Sequence, residues 1–148
     1  MKSDSFKILL ADDDEDDCMF FKDALEELSL PASLDTVRNG VELMGFLKRH
    51  LIDPPQVLFL DLNMPCKTGF ECLCEIKLNE KLKHLPVIIY STSFNLEVMD
   101  LLYNNGAQHY IRKPADFENL KSVIKKALSI SGQSKSLQPS KEKFVIQP

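Results

Sequence analysis

The sequence lacks any apolar run long enough to cross a membrane. The apolar stretch nearest the N-terminus, Phe6–Ala11, is too short for the core of a secretory signal and runs directly into acidic residues. We therefore expect neither a signal peptide nor a membrane partner. The sequence predicts a cytoplasmic protein.

An excess of basic residues is also lacking, because 18 lysines and arginines stand against 22 aspartates and glutamates, for a formal net charge of −4. The last twenty residues hold three lysines and one glutamate, so they carry +2 and the preceding 128 residues carry −6. An acidic folded part disfavours a nucleic-acid-binding surface. We expect no nucleic-acid partner.

Cysteine and histidine are few, with four and three residues respectively. Cys72 and Cys74 are two apart on a predicted helix and face different directions, and a cytosolic chain keeps its thiols reduced. The histidines His50, His84 and His109 lie far apart and show no metal-ligand spacing, so we expect them on surfaces or loops. A disulfide framework or a zinc site is disfavoured.

What is present is a regular alternation of strand and helix patterns over a length of 148 residues, which suits one domain. Strands are predicted at residues 8–11, 33–38, 57–61, 87–90 and 108–112. Each is followed by apolar residues at helical spacing. Five such β/α units predict an α/β fold, with a parallel sheet covered by helices on both faces.

The composition changes near the C-terminus, where residues 129–140 are rich in Ser, Gln, Lys, Gly and Pro. Such a segment buries too little apolar surface to fold alone. We expect a domain over residues 1–128 and a flexible tail over 129–148, without an output domain. The small apolar group at residues 144–146 leaves open an alternative, in which this part docks on the domain or on a neighbour.

Charged and hydroxyl side chains follow the predicted strands at the points where they end. They are Asp12, Asp13, Asp61, Ser91 and Lys113. In a parallel sheet these ends meet at one rim, so three carboxylates would lie close together and repel one another. A hard divalent ion relieves this repulsion, and oxygen ligands without histidine or thiolate favour Mg²⁺.

Four motifs in this order are typical of one family: LLADDDEDD after the first strand, DLNMP with Gly69 eight residues past its first acid, YSTS, and GAQHYIRKP. The sequence resembles the receiver domain of two-component response regulators over about residues 6–128. It is similar to the single-domain chemotaxis regulator and closer still to the stand-alone regulators of the bacterial phytochrome-associated type. The resemblance implies a doubly wound, flavodoxin-like five-stranded sheet in the order 2-1-3-4-5, flanked by five helices.

The resemblance also implies a role for each acid at the rim. Asp61 would accept the phosphoryl group as an aspartyl phosphate. Asp13 would bind Mg²⁺ directly, Asp12 would act largely through water, and Asn63 would offer its backbone carbonyl to the metal. The ion would neutralise charge on the incoming phosphoryl group.

The resemblance assigns phosphate binding and switching to other residues. Lys113 and Ser91 would bind phosphoryl oxygens. Tyr110 would be the aromatic switch residue, which turns inward as the Ser91 hydroxyl moves toward the phosphate and thereby alters the face formed by the fourth helix, fifth strand and fifth helix. The bond between Lys113 and Pro114 would be cis, aiming the lysine into the site.

Alternative readings remain for individual residues and for the whole chain. Asp16 and Asp17 are expected only to compensate a helix macrodipole. A phosphatase or phosphotransferase with an aspartate nucleophile also places an acid after a strand, but it needs a second acid two residues on, where this chain has Asn63. An unphosphorylated interaction module would usually have lost the lysine or the acids.

The partners implied are a sensor histidine kinase and a downstream protein that the sequence does not identify. Homodimerisation through the switch face is left open. The expected role is a signalling switch that takes and loses a phosphoryl group, rather than a turnover enzyme.

Overall fold

The computed structural model of the protein describes residues 6–93, 95–133 and 138–148. Strands and helices alternate through them as the sequence predicts. The strands are β1 Phe6–Ala11, β2 Ala32–Val37, β3 Val57–Leu60, β4 Val87–Ser91 and β5 His109–Arg112. The helices are α1 Glu15–Glu27, α2 Gly40–Arg49, α3 Gly69–Leu78, α4 Leu96–Asn104 and α5 Phe117–Gln133, followed by a 3₁₀ turn at Lys141–Lys143.

The five strands form one parallel sheet in the order β2-β1-β3-β4-β5. β1 lies between β2 and β3, and the register places Ala11 beside Leu60 at the ends of two neighbouring strands. Because every strand runs in the same direction, the carboxyl ends share one edge of the sheet. Strand order and helix number confirm the predicted doubly wound, flavodoxin-like α/β fold.

The sheet separates two apolar clusters. Along β1, Leu9 and Ala11 pack toward α2, α3 and α4, whereas Ile8 and Leu10 pack toward α1 and α5. This alternation follows from the two-residue period of a strand. Because both faces are covered, β3 and β4 are buried throughout, which explains the apolar runs of β3 and of β4 before Ser91. The strand ends therefore project from a tightly packed platform.

The connection from β1 to α1 is only three residues long, because α1 has a strong start signal. Asp14 is the N-cap, and its side chain accepts hydrogen bonds from the backbone N–H groups of Asp16 and Asp17. Satisfying these otherwise unpaired donors stabilises the helix start by about 1 kcal/mol. The short connection keeps Asp12 and Asp13 at the rim of the sheet.

The prediction of a flexible tail over residues 129–148 is wrong for the parts of it that the structure describes. α5 continues to Gln133, and residues 138–148 lie against the domain, with Phe144 and Ile146 buried. The docking alternative left open by the sequence is the one that the structure shows. The polar composition of residues 129–140 did not predict this docking, because Phe144 and Ile146 bury their apolar surface against the domain rather than within their own segment.

The expectation that all three histidines lie on surfaces or loops is wrong for His109. His84 is exposed and His50 half-buried, but His109 lies on β5 and is 3% exposed. Burial lowers the pKa of His109, since the charged imidazolium is disfavoured away from water. Among the described residues, no helix combines the length and apolar character that a membrane crossing requires.

Candidate functional site

Asp61 is the first residue after β3, and its backbone N–H donates to the Ala11 carbonyl at 2.9 Å. This bond holds it beside the end of β1, where its side chain is almost completely buried. Gly69, at the start of α3, lies directly against it. A Cβ at this glycine would be 2.2 Å from the Asp61 carbonyl oxygen, so no other residue allows α3 to begin so close to β3.

Three predicted acids meet at this point. Asp12, Asp13 and Asp61 each offer a carboxylate oxygen, and these atoms all lie within 4.8 Å of one another. Asp13 is exposed, whereas Asp12 is buried with its Oδ1 accepting the Asp14 N–H at 3.0 Å. Like charges at this separation repel strongly unless a cation or a proton compensates them.

The residues present fit a divalent metal ion. Asp12 Oδ2 is buried, and its 2.7 Å contact with Lys113 Nζ is an ion pair that lacks hydrogen-bond geometry, so this oxygen has capacity for another ligand. The nearby Cys18 thiol lies 3.5 Å from the Asp12 carbonyl oxygen, and burial raises its pKa to about 11. A neutral thiol does not compete as a ligand, so the donor set consists of oxygens.

Lys113 provides the positive charge within the site. Its ammonium lies 2.7 Å from Asp12 Oδ2, 2.8 Å from Asp17 Oδ2 and 3.6 Å from Asp61 Oδ2. It also lies over the Tyr90 ring, 5.3 Å from the centroid. The side chain is only 8% exposed, so these contacts act with little solvent screening.

Asp17 is a site residue that the sequence analysis missed. It was assigned to compensation of the helix macrodipole, yet its carboxylate pairs with Lys113 at 2.8 Å. Asp17 lies in the first turn of α1, which begins at Glu15 just beyond the strand end that carries Asp12 and Asp13. Only the position of Lys113 shows which acid of that turn enters the site. Asp16 is exposed, and the expectation for it is not contradicted.

Burial raises the pKa of both Asp12 and Asp61. For Asp61 the pKa rises from 3.8 to about 6, because burial and the Asp12 charge together outweigh the stabilising Lys113 ammonium. Burial alone would lower the pKa of Lys113, but its pairing with Asp12 and Asp17 and the charge of Asp61 hold that pKa above its usual value. One lysine therefore does not neutralise the site.

Ser91 lies on β4, the strand next to β3, and Tyr110 lies on the edge strand β5. Ser91 ends β4, is buried, and accepts the Ser93 N–H on its hydroxyl at 3.2 Å, while its carbonyl accepts the Lys113 N–H at 2.8 Å. Tyr110 on β5 is fully buried, and its hydroxyl donates to the Ser93 carbonyl. Tyr110 is thus in the inward orientation, bonded to the loop that begins at Ser91.

Two further predicted features have different outcomes. Asn63 is placed by its backbone N–H, which lies 3.3 Å from Asp61 Oδ1, while its carbonyl role stays a prediction. The expected cis bond before Pro114 is wrong, since the described residues contain no cis peptide. The trans form is intrinsically preferred before proline, and Lys113 reaches the carboxylates from it.

Comparison with known proteins now identifies the family. Residues 8–125 match the family model described as the response regulator receiver domain. The chain belongs to this family. Receiver domains are phosphorylated on an aspartate by histidine kinases, bind a divalent metal ion and generally act as signalling switches. The predicted family and fold are confirmed.

Individual relatives agree with this assignment. The probable methanogenesis regulatory protein FilR2 of Methanothrix harundinacea (strain 6Ac) is 32% identical over 124 residues, which are 82% of this chain and 80% of FilR2. The structure of the phosphorylated cyanobacterial phytochrome response regulator RcpA is 32% identical with a TM-score of 0.78, covering 87% of this chain and 95% of RcpA. The Mn²⁺-bound form of response regulator Rcp1 is 29% identical with a TM-score of 0.75, covering 90% of this chain and 99% of Rcp1.

Proposed function

We propose that this receiver domain is a switch in which Asp61 accepts a phosphoryl group from a sensor histidine kinase. The observation that carries the proposal is the convergence of Asp12, Asp13 and Lys113 on this one carboxylate. A receiver needs a nucleophile, a divalent cation site and a fixed positive charge, and these residues provide all three in one place. The phosphorylated state of the relative RcpA supports the same chemistry.

The transfer follows from the position of the Asp61 side chain. A carboxylate oxygen attacks the phosphorus of a phosphohistidine, the P–N bond breaks, and its electron pair returns to the imidazole nitrogen of the kinase. The product is a mixed anhydride on Asp61. Because the attacking carboxylate must be ionised, its pKa of about 6 allows the reaction near neutral pH.

Asp12, Asp13, Asp61 and the backbone carbonyl of Asn63 would hold Mg²⁺ in this switch. When bound, the ion supplies positive charge that offsets repulsion between the acids and the phosphoryl oxygens. The oxygen-only donor set supports Mg²⁺ over softer metals. The Mn²⁺-bound form of the relative Rcp1 supports the binding of a divalent ion.

Lys113 and Ser91 would bind the phosphoryl group after transfer. Lys113 Nζ is already 3.6 Å from Asp61 Oδ2, so a short movement away from Asp12 and Asp17 would bring it to a phosphoryl oxygen. The Ser91 hydroxyl would donate to another, giving up its contact with the Ser93 amide. Tyr110 would report this change, since its own hydroxyl is bonded within the same loop.

The output would be a change in the face formed by α4, β5 and α5, which a downstream protein or a second copy of the chain would bind. A turnover enzyme is the weaker candidate. Asn63, two residues after Asp61, has no acid or base function, whereas aspartate-nucleophile phosphatases need a general acid or base there. We therefore propose a cytoplasmic switch rather than an enzyme.

A phosphoryl mimic tests the switch directly. Addition of beryllofluoride with Mg²⁺ is expected to shift the NMR resonances of Ser91, Ser93 and Tyr110, because the mimic on Asp61 draws the Ser91 hydroxyl toward it. Mg²⁺ alone should affect mainly residues 12–14 and 61–63. Wild-type protein whose Ser91 and Tyr110 signals do not respond to the mimic would contradict the proposal, as would multiple turnover on a small phosphate ester.

Mg²⁺ affinity is expected to depend on pH through Asp61. With its pKa near 6, this carboxyl is mostly ionised at pH 7 and mostly protonated at pH 5, so the Mg²⁺ dissociation constant should rise about tenfold between these values. Titration of Mg²⁺ followed by NMR measures the change. The variant Asp61→Asn serves as the control, because its weaker Mg²⁺ binding should vary much less over this range. If the Mg²⁺ dissociation constant varied equally with pH in both proteins, the assignment of Asp61 as a metal ligand would be refuted.

A further inference from the structure

Residues 138–148, here called the C-terminal segment, lie along the edge of β5. The Tyr110 N–H donates to the Phe144 carbonyl at 3.0 Å, the Ile146 N–H donates to the Tyr110 carbonyl at 2.9 Å, and Val145 forms a parallel β-bridge with Tyr110. β5 is the last strand in the sheet order, so its outer edge is the position where another strand can pair. The segment pairs with this edge through one bridge, directly after the 3₁₀ turn at Lys141–Lys143.

Side chains of the segment enter both apolar clusters. Phe144 is 2% exposed and joins the cluster on the α4 side, with ring centroids 5.2 Å from Tyr103 and 6.4 Å from Tyr110. Ile146, two residues on, is buried in the cluster on the α5 side. Residues two apart in a regular strand face the same side, so the opposite placement of Phe144 and Ile146 means that the segment is not a regular strand here. Because the backbone turns at Phe144, the segment contacts both flanks of β5.

Polar contacts tie the segment to both neighbouring helices. On α4, the Tyr103 hydroxyl donates to the Pro139 carbonyl at 2.7 Å, and Asp100 pairs with Lys141 at 3.0 Å. On α5, Lys126 Nζ donates to the Gln147 carbonyl at 2.8 Å. The segment therefore contacts α4, β5 and α5, which form the face that the proposed switch would change.

Tyr110 connects the segment with the site. Its backbone binds the segment, its ring packs beside Phe144, and its hydroxyl donates to the Ser93 carbonyl in the loop after Ser91. With Phe144 in place the tyrosine ring has no exposed surface. Docking thus favours the buried orientation of Tyr110, the orientation that accompanies phosphorylation in the proposed switch.

We propose that the surface formed by α4, β5 and α5 is a peptide-docking site, that the C-terminal segment occupies it within the same molecule, and that occupancy and phosphorylation strengthen each other through Tyr110. The coupling rests on the proposed function. Linkage requires that a phosphoryl group which favours buried Tyr110 also favours docking, and the reverse. A partner that binds this surface must supply a segment with an aromatic residue and an aliphatic residue two positions later, and it must displace the chain's own segment.

Amide hydrogen exchange in the full chain tests this proposal, because the Tyr110 and Ile146 amides donate across the docking contact. Beryllofluoride with Mg²⁺ is expected to slow exchange at both amides severalfold, relative to Mg²⁺ alone. The Leu58 amide, which donates to Pro86 between β3 and β4, is the internal reference for global stability. Unchanged or faster exchange at Tyr110 with the mimic bound would overturn the coupling.

Two variants of the segment separate docking from general effects. Phe144→Ala removes the ring between Tyr103 and Tyr110 and should speed Tyr110 exchange about tenfold, with weaker beryllofluoride binding. Glu142→Ala, at an exposed position of the same segment, is the matched control. It should leave the Tyr110 exchange rate and the beryllofluoride affinity unchanged. Equal Tyr110 exchange in Phe144→Ala and wild type would refute docking.

The outcomes also distinguish this inference from the proposed function. Fluorine NMR shows whether beryllofluoride binds. If it does not bind, the proposed function fails, while the effect of Phe144→Ala on Tyr110 exchange still tests docking. If it binds without altering Tyr110 exchange, the coupling fails and the function stands. Protection that increases with protein concentration would show that the segment docks on a second copy, which would overturn docking within one molecule.

Discussion

Asp61→Asn is expected to abolish acid-labile phosphorylation and at the same time to stabilise the metal-free fold. The amide has nearly the same shape as the carboxyl but is no nucleophile toward phosphorus. Incubation with Mg²⁺ and acetyl phosphate, followed by intact-mass analysis at acidic and at alkaline pH, measures the loss. Asp16→Asn is the matched control, because Asp16 is an exposed acid of α1 and should leave phosphorylation unchanged.

The stabilisation follows from the raised pKa of Asp61. Its folded-state pKa of about 6 exceeds the unfolded value of 3.8, so the folded protein binds this proton more tightly. Wild-type stability should therefore fall as pH rises from about 4 to about 6, and the full penalty should persist above that range. Asp61→Asn removes it, and we expect a gain of about 2 kcal/mol at pH 7 without metal.

Urea unfolding of Asp61→Asn and wild type between pH 5 and pH 8 measures this difference. It should be largest above the Asp61 pKa and decrease toward acidic pH, where the wild-type carboxyl takes up its proton. Mg²⁺ should reduce the difference by stabilising only the wild type appreciably. A variant less stable than wild type at pH 7 without metal would contradict the assigned charge imbalance.

Lys113→Met is expected to be the most destabilising substitution in the site. The ammonium is 8% exposed and lies near three carboxylates, so its removal leaves buried negative charge without a partner. Breaking a buried ion pair in this way costs about 3 kcal/mol, although protonation of Asp12 or Asp61 limits the loss. Urea unfolding without metal measures it, and Mg²⁺ should restore much of the stability because the ion replaces the missing charge.

Lys121→Met is the control for the lysine substitution. Lys121 also pairs with two acids, Glu27 and Glu118, each at 3.1 Å, but both partners are exposed to water. Such surface pairs contribute at most about 1 kcal/mol, and Mg²⁺ should not alter the effect of this change. Equal losses in the two variants, or a Lys113→Met loss unaffected by Mg²⁺, would show that the carboxylates around Lys113 do not form the metal site.

Much of the site could be predicted because strand periodicity is local. The apolar run that ends at Asp61 and the acids after the first strand are visible without tertiary information, and parallel strands bring such ends together. Asp12, Asp13, Asp61 and Lys113 do converge in the structure. Asp17 was missed because an acid in the first turn of a helix has a sufficient local explanation, and only the position of Lys113 shows its second role.

The sequence by itself determined the alternation of strands and helices, the family motifs and the residue types at the rim, because each depends on residues at short spacing, and the resemblance implied the strand order. Only the tertiary structure decided the burial of His109, the trans bond before Pro114 and the docking of Phe144. The difference has a physical reason. A strand end or a helix cap is encoded by neighbours in the chain, whereas docking of residues 138–148 depends on surface that α4, β5 and α5 create only when folded together.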